Sequence, residues 1–198
     1  MITTLVTGFD GAVRRIQTSF DTQGNPYLVT SYDAANGGNI VNLVQRAYNG
    51  LGQMTQEWQS HSGAVVIGTT PSVQYAYSLM TGGANHSRLT SITYPNGKVL
   101  TYNYGTAGGL NDVISRLASL SDTSGTLESY DCLGLNTVVR RAHSQPGVDL
   151  TYIKQTGEAN GDAGDQYTGL DRFGRVVDQG KKRERKGDAD SLGKENMK

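Results

Sequence analysis

A chain of 198 residues with a formal net charge of zero and a sequence pI near 6.8 is long enough for one domain with a sizeable core, and it has no global charge that would draw it to nucleic acid or to an anionic membrane. Its 26 Gly and 11 Tyr, with only 18% charged residues, argue for turn-rich β structure and against long helices. The single cysteine, Cys132, excludes an internal disulfide framework, and no stretch approaches the roughly 20 apolar residues of a membrane-spanning helix.

In chain order, the opening residues Met1-Ile2-Thr3-Thr4-Leu5-Val6 lack the basic start and continuous apolar run of a signal peptide, so none is expected. The first turn signal is Phe20-Asp21-Thr22-Gln23-Gly24, followed by a strand whose Leu28, Thr30 and Tyr32 share a face; a looser signal follows at Tyr32-Asp33. The next is Tyr48-Asn49-Gly50-Leu51-Gly52. Val65-Val66-Ile67 reads as a strand apolar on both faces, and Val73, Tyr75 and Tyr77 then alternate with Ser72, Gln74 and Ala76. Met80 to Asn85 reads as an inserted loop. Thr90, Ile92 and Tyr94 form a further row, Tyr94-Pro95-Asn96-Gly97 a turn, and Leu100, Tyr102 and Tyr104 the row after it. Turn signals recur at Ser121-Asp122-Thr123-Ser124-Gly125, Tyr130-Asp131-Cys132-Leu133-Gly134 and Leu170-Asp171-Arg172-Phe173-Gly174, with Val138-Val139 apolar on both faces between the last two.

Each position of the recurring unit has a physical reason. The Asp or Asn side chain can accept a backbone N–H two residues on, and the Gly supplies the φ > 0 conformation that closes a short hairpin loop. The aromatic residue ends the incoming strand, where a flat ring can pack on the neighbouring unit. Strand patterning runs to Arg175-Val176-Val177-Asp178-Gln179 and then stops. Residues 1–179 carry eleven Lys+Arg against fourteen Asp+Glu, whereas residues 180–198 carry seven against four, with almost nothing apolar to bury. This tail, from Gly180 through Lys181-Lys182-Arg183-Glu184-Arg185-Lys186, is expected to be disordered, and its abrupt change of composition suggests a truncated or interrupted array.

The repeated aromatic-Asp-x-x-Gly unit with an apolar-rich strand after it resembles the YD repeats of RHS proteins, which occur in bacterial toxin shells, polymorphic toxins and animal teneurins. The resemblance spans roughly Phe9 to Val177, with irregular spacing between Tyr48 and Tyr94. It implies an all-β fold of tandem β-hairpin repeats forming an extended curled sheet or partial shell. It also implies a non-enzymatic structural or encapsulating role, with the remainder of a longer shell or neighbouring repeats as partner and a secreted or cell-surface parent. The self-cleaving aspartate segment that closes such arrays has no match here, so that activity is not carried over.

Chemistry-bearing candidates are sparse. His61, His86 and His143 stand apart and lack metal-ligand spacing, and Cys132 has no paired motif that would activate a thiolate. No Gly-x-Ser-x-Gly elbow is present, so no catalytic, cofactor-binding or metal residue is expected. Glu158-Ala159-Asn160-Gly161-Asp162-Ala163-Gly164-Asp165 is an oxygen-rich loop that matches no calcium motif, and Lys181 to Lys186 reads as a solvated run rather than a nucleic-acid patch. Asn85-His86-Ser87 fits the glycosylation triplet without a context that would give it meaning. The alternative to a scaffold is a carbohydrate- or protein-binding module using exposed aromatics, and the facing of Tyr75, Tyr77, Tyr102 and Tyr104 discriminates the two.

Overall fold

The computed structural model describes residues 2–5, 13–78, 87–154, 156–160 and 166–183. Among them are thirteen β-strands and a single four-residue helix, α1 (Leu110–Val113), so the protein is all-β as its composition predicts. The chain divides into two compact units, Met1–Ser78 with Leu89–Val99, and Leu79–Arg88 with Leu100–Lys198.

In the first unit, β1 (Ile2–Leu5), β2 (Arg15–Phe20), β3 (Pro26–Tyr32), β4 (Ile40–Tyr48), β5 (Met54–Ser60), β6 (Ser72–Tyr77) and β7 (Leu89–Thr93) each pair antiparallel with the next. The second unit repeats the scheme with β8 (Val99–Asn103, from Leu100 onward), β9 (Ser119–Asp122), β10 (Gly125–Leu133), β11 (Thr137–His143), β12 (Val148–Thr151) and β13 (Gly180–Arg183). Each unit is thus a meander in which neighbours in sequence are neighbours in the sheet.

Period-two alternation decides which side chains share a face. Thr30 lies opposite Leu43, and Leu28 opposite Gln45, which in turn faces Trp58; Leu28, Thr30, Leu43 and Trp58 therefore line one face of the first unit. Leu43, Trp58 and Thr30 are its buried residues on that face, while Ser31 is buried on the other. In the second unit Val139, Ala142, Leu170 and Thr151 are buried. Even so, no described side chain is completely withdrawn from solvent. A sheet normally buries one face against a second layer. Here strand pairing and loop contacts carry more of the structure than a core does.

Three expectations need correction. The Tyr130–Gly134 copy does not turn where its Asp-x-x-Gly spacing predicts. β10 continues to Leu133, with Val139 of β11 bulged opposite the Asp131–Cys132 step, and Gly134, at φ +64°, begins the reversal instead. The Asp131 carboxylate, 3.4 Å from Arg140 on β11, serves as a cross-strand partner rather than a turn acceptor. Val65-Val66-Ile67 is not a strand. Thr69 and Thr70 N–H both donate to the Val66 carbonyl and the Val66 N–H donates to Thr70 Oγ1, a local network that bends the segment and leaves Val66 and Ile67 exposed. The boundary at residue 179 is also displaced. Gly180–Arg183 forms β13, pairing Thr151 with Gly180 through Val148 with Arg183, because the β12 edge offers free backbone groups that a polar segment can fill. The rest of the expected tail, residues 184–198, and the inserted loop at Met80–Asn85 lie outside the described residues.

If the Leu43–Trp58 face is the stabilising apolar contact of the first unit, Trp58→Ala should lower unfolding free energy by about 3–5 kcal/mol. Urea unfolding followed by far-ultraviolet circular dichroism measures it, and a loss under about 1 kcal/mol would show that this face is not the core.

Candidate functional site

The feature that recurs with the same atoms is the hairpin loop. In Asp21–Asn25 the Asp21 N–H donates to the Asn25 carbonyl at 2.9 Å and the Gly24 N–H to the Asp21 carbonyl at 3.1 Å. Asn49–Gln53 repeats both bonds, at 2.9 and 3.0 Å, and Asp171–Arg175 repeats them at 2.9 Å each. Gly24, Gly52 and Gly174 hold φ of +89°, +74° and +74°, the left-handed residue that ends a three-residue hairpin loop. Tyr94–Lys98 has the same main-chain scheme with Tyr94 in the first place, so there the aromatic residue occupies the position that Asp or Asn holds elsewhere.

Where the first residue is Asp or Asn, it also closes the loop through its side chain. Asp21 Oδ1 accepts the N–H of Gln23 and of Asn25, and Asp21 Oδ2 accepts Asn25 Nδ2 at 3.0 Å. Asn49 Oδ1 accepts Leu51 and Gln53 N–H while its Nδ2 donates to Gln53 Oε1 at 2.8 Å. Asp171 Oδ1 accepts Phe173 and Arg175 N–H, and its Oδ2 accepts Arg175 Nε at 2.6 Å. The wider loop Asp33–Asn39 uses Asp33 and Asn39 in the same way, at 2.7 and 3.1 Å. Asn25, Asn39, Gln53 and Arg175 were not singled out from the sequence. The signal was available: in the three short loops a polar residue with a side-chain donor or acceptor directly follows the turn glycine.

Tyrosines tie successive loops together. The Tyr48 hydroxyl donates to the Pro26 carbonyl and the Tyr77 hydroxyl to the Met54 carbonyl, each at 2.9 Å. In both cases a residue at the end of one strand reaches across to the start of the adjacent strand, to the residue that follows the preceding closed loop. A methyl placed on Gly52 would lie 3.5 Å from the Asn25 side chain, so the second loop sits against the first. Tyr75, Tyr77, Tyr102 and Tyr104 are all half-buried. Burial raises the phenol pKa of Tyr75, Tyr77, Tyr104 and Tyr130 above 10.0, with Glu57 adding to the rise at Tyr75.

Arginines stack on the strand-ending rings. Arg15 lies 3.9 Å from the Tyr32 ring centre and donates to the carbonyls of Ala35 at 3.3 Å and Gly37 at 3.0 Å. Arg88 lies 4.2 Å from the Tyr104 ring centre, donates to the Asp112 carbonyl at 2.8 Å and pairs with the Asp112 carboxylate. Nε of both arginines is buried without a hydrogen-bond partner among the described residues, which fits a guanidinium held against an aromatic face. Elsewhere Arg46 pairs with its cross-strand partner Glu57 at 2.7 Å, and Arg140 bridges Asp131 and Asp149 across three strands.

A groove of about 610 Å³ lies beside β5 in the first unit, walled by Glu57, Gln59 and Val73, the loop residues His61, Val66 and Thr70, and Pro95. None of its lining residues is Phe, Tyr or Trp. His61 is thereby placed in a concave surface, whereas His143 ends β11 opposite Val148 and Glu128. Cys132 is half-buried within β10, opposite Val138, rather than in a turn. His86, Asn85 and Gly161–Asp165 lie outside the described residues, as do Glu184–Lys186 of the basic run, while Lys181 and Lys182 belong to β13. Among the described residues no group of three or more His, Cys, Asp or Glu is placed to hold a metal ion.

No known protein-family model matches the chain, and no curated protein matches it either.

Two consequences of the loop geometry can be measured. Gly52→Ala forces a Cβ into the left-handed region and should cost about 1–2 kcal/mol, whereas Gly50→Ala, with open space and no positive φ, should be close to neutral in the same urea titration. The hydrogen bond from the Asn25 side chain holds the Asp21 carboxyl below its ordinary value of 3.8, and the Arg175 N–H does the same for Asp171. A lowered carboxyl pKa adds stability above the unfolded value that is lost as pH falls through the folded one. The melting temperature should therefore hold down to about pH 4 and decline below it. The double variant Asp21→Asn, Asp171→Asn should decline less steeply, because Asn49 shows that an amide serves in that place; an unchanged acid limb would disprove the assignment.

Proposed function

We propose that this chain is a non-enzymatic structural segment of a YD-repeat array of RHS type, a wall of successive hairpins that scaffolds or encloses. The observation that carries the proposal is the loop built three times from the same bonds, at Asp21–Asn25, Asn49–Gln53 and Asp171–Arg175, with a preceding Leu or aromatic residue each time. A unit that repeats its closing chemistry while its surface residues vary is built for propagation of a sheet. Stability in such arrays comes from interfaces between neighbours. The sparse burial within each unit supports that dependence, with adjoining repeats of a longer shell as the natural partner. On the resemblance, that parent belongs to the toxin-associated or cell-surface class.

The groove beside β5 favours a second reading, a carbohydrate- or protein-binding module, since its volume lies within the range of ligand sites. Against sugar stacking, its lining lacks Phe, Tyr and Trp, and the tyrosine rows are half-buried. A thermal-shift survey of the full chain against oligosaccharides at millimolar concentration separates the readings. The scaffold reading expects no rise in melting temperature. A ligand at a hundred times its Kd would stabilise the fold by about 2.7 kcal/mol, and such a rise, abolished by His61→Ala, would replace the scaffold with a binding site.

A further inference from the structure

Four Asn-Gly dipeptides occur in the chain, beginning at Asn36, Asn49, Asn96 and Asn160, and the glycine of the last lies outside the described residues. Their chemistry is shared. The backbone nitrogen of the glycine can attack the Asn side-chain carbonyl carbon, and no Cβ on the following residue obstructs the approach. Whether it does so depends on three conditions that the fold sets independently: the side chain must be free to swing, the glycine N–H must be unengaged, and water must reach both.

Asn49 fails the first condition. Its Oδ1 accepts the N–H of Leu51 and Gln53, and its Nδ2 donates to Gln53 Oε1, so all three bonds must break before Cγ can turn toward Gly50. Asn96 fails on two counts. Its Oδ1 accepts the Lys98 N–H at 3.0 Å, and the attacking group itself, the Gly97 N–H, is held by the Tyr94 carbonyl at 2.9 Å. Asn36 meets every condition. It is exposed, and neither its side chain nor the Gly37 N–H makes a hydrogen bond among the described residues. Gly37 and Gly38 follow it at φ +63° and +83°, and Gly37 has no Cβ to obstruct the approach of its nitrogen to Asn36 Cγ.

We infer that Asn36 is a site of spontaneous deamidation in the folded protein, with Gly37 supplying the nucleophile. The Gly37 nitrogen gives its proton to water and bonds to Asn36 Cγ; the Cγ–Nδ2 bond breaks and the amide leaves as ammonia, closing a five-membered imide. Water then opens the ring. Cleavage of the new N–Cγ bond restores the ordinary backbone with Asp at 36, and cleavage of the bond to the main-chain carbonyl carbon leaves a β-linked isoaspartate. Either product carries a carboxylate where the amide was neutral, and no oxidant or reductant takes part.

The position gives the change a structural reading. Arg15 donates to the carbonyls of Ala35 and Gly37, one on each side of Asn36, while its guanidinium stacks on Tyr32. The ordinary product places a negative charge on the loop whose flanking carbonyls Arg15 holds. The β-linked product inserts one extra backbone carbon between the two carbonyls and loosens their hold on Arg15.

Ageing the full chain in mildly alkaline buffer, followed by proteolytic peptide mapping with mass spectrometry and enzymatic isoaspartyl methylation, tests the inference. A parallel sample is aged in urea. In the native chain Asn36 should convert roughly tenfold or more faster than Asn49 and Asn96, and in urea the three rates should converge, because the protection of the other two is conformational. Asn36→Gln should remove the early signal while leaving the circular dichroism spectrum unchanged. Equal native rates at the three sites would overturn the inference, as would the same Asn36 lead in urea, which would place its cause in local sequence rather than in the fold.

Discussion

Backbone groups at the end of an antiparallel sheet have no strand to pair with, and the loops of this protein satisfy them from within. In the loops that begin with Asp21, Asn49 and Asp171 the first residue closes the loop through its own N–H and again through its side-chain oxygen, and a glycine with positive φ completes the reversal. That arrangement fixes which residue begins the return strand. Because a slip of one residue would move every side chain to the opposite face, loop closure also decides the placement of Leu28, Thr30, Leu43 and Trp58 together.

With so little buried apolar surface, contacts that would be secondary in a two-layer protein become primary. The hydroxyls of Tyr48 and Tyr77 satisfy carbonyls next to the preceding loops and so tie each strand end to the start of its neighbour. Arg15 and Arg88 use one guanidinium for two purposes, packing on a ring and holding a loop by its carbonyls. These contacts are local in space and repeat along the chain, which suits a protein extended by addition of units rather than by growth of a centre.

Much of this was legible in the sequence and some was not. Period-two rows and the Asp-x-x-Gly signal predicted the all-β meander and the loops at Asp21, Asn49 and Asp171, because those signals act within five residues. The copy at Tyr130 misled because the same four letters describe a strand whenever the Asp finds a better partner, here Arg140 on the next strand. Val65-Val66-Ile67 misled in the opposite sense: hydrophobicity suggested a strand, but Thr69 and Thr70 offered the backbone a closer set of bonds. Strand β13 was invisible because its pairing is set by the edge of β12 rather than by its own lysines. The groove depends on where the loop after β5 folds, which no short-range pattern encodes.

One consequence of the meander is mechanical. When every strand is hydrogen-bonded to its neighbours in sequence, tension drawn along the chain does not load a whole ladder at once. It opens one bonded pair at a time from the outermost strand inward, as a zipper does, and each freed residue releases about 3.3–3.6 Å of contour. Each closed loop interrupts that unzipping, since the bonds of Asn49 or Asp171 must yield before the next strand can peel. A unit made this way lengthens in small steps under modest force rather than failing in a single event.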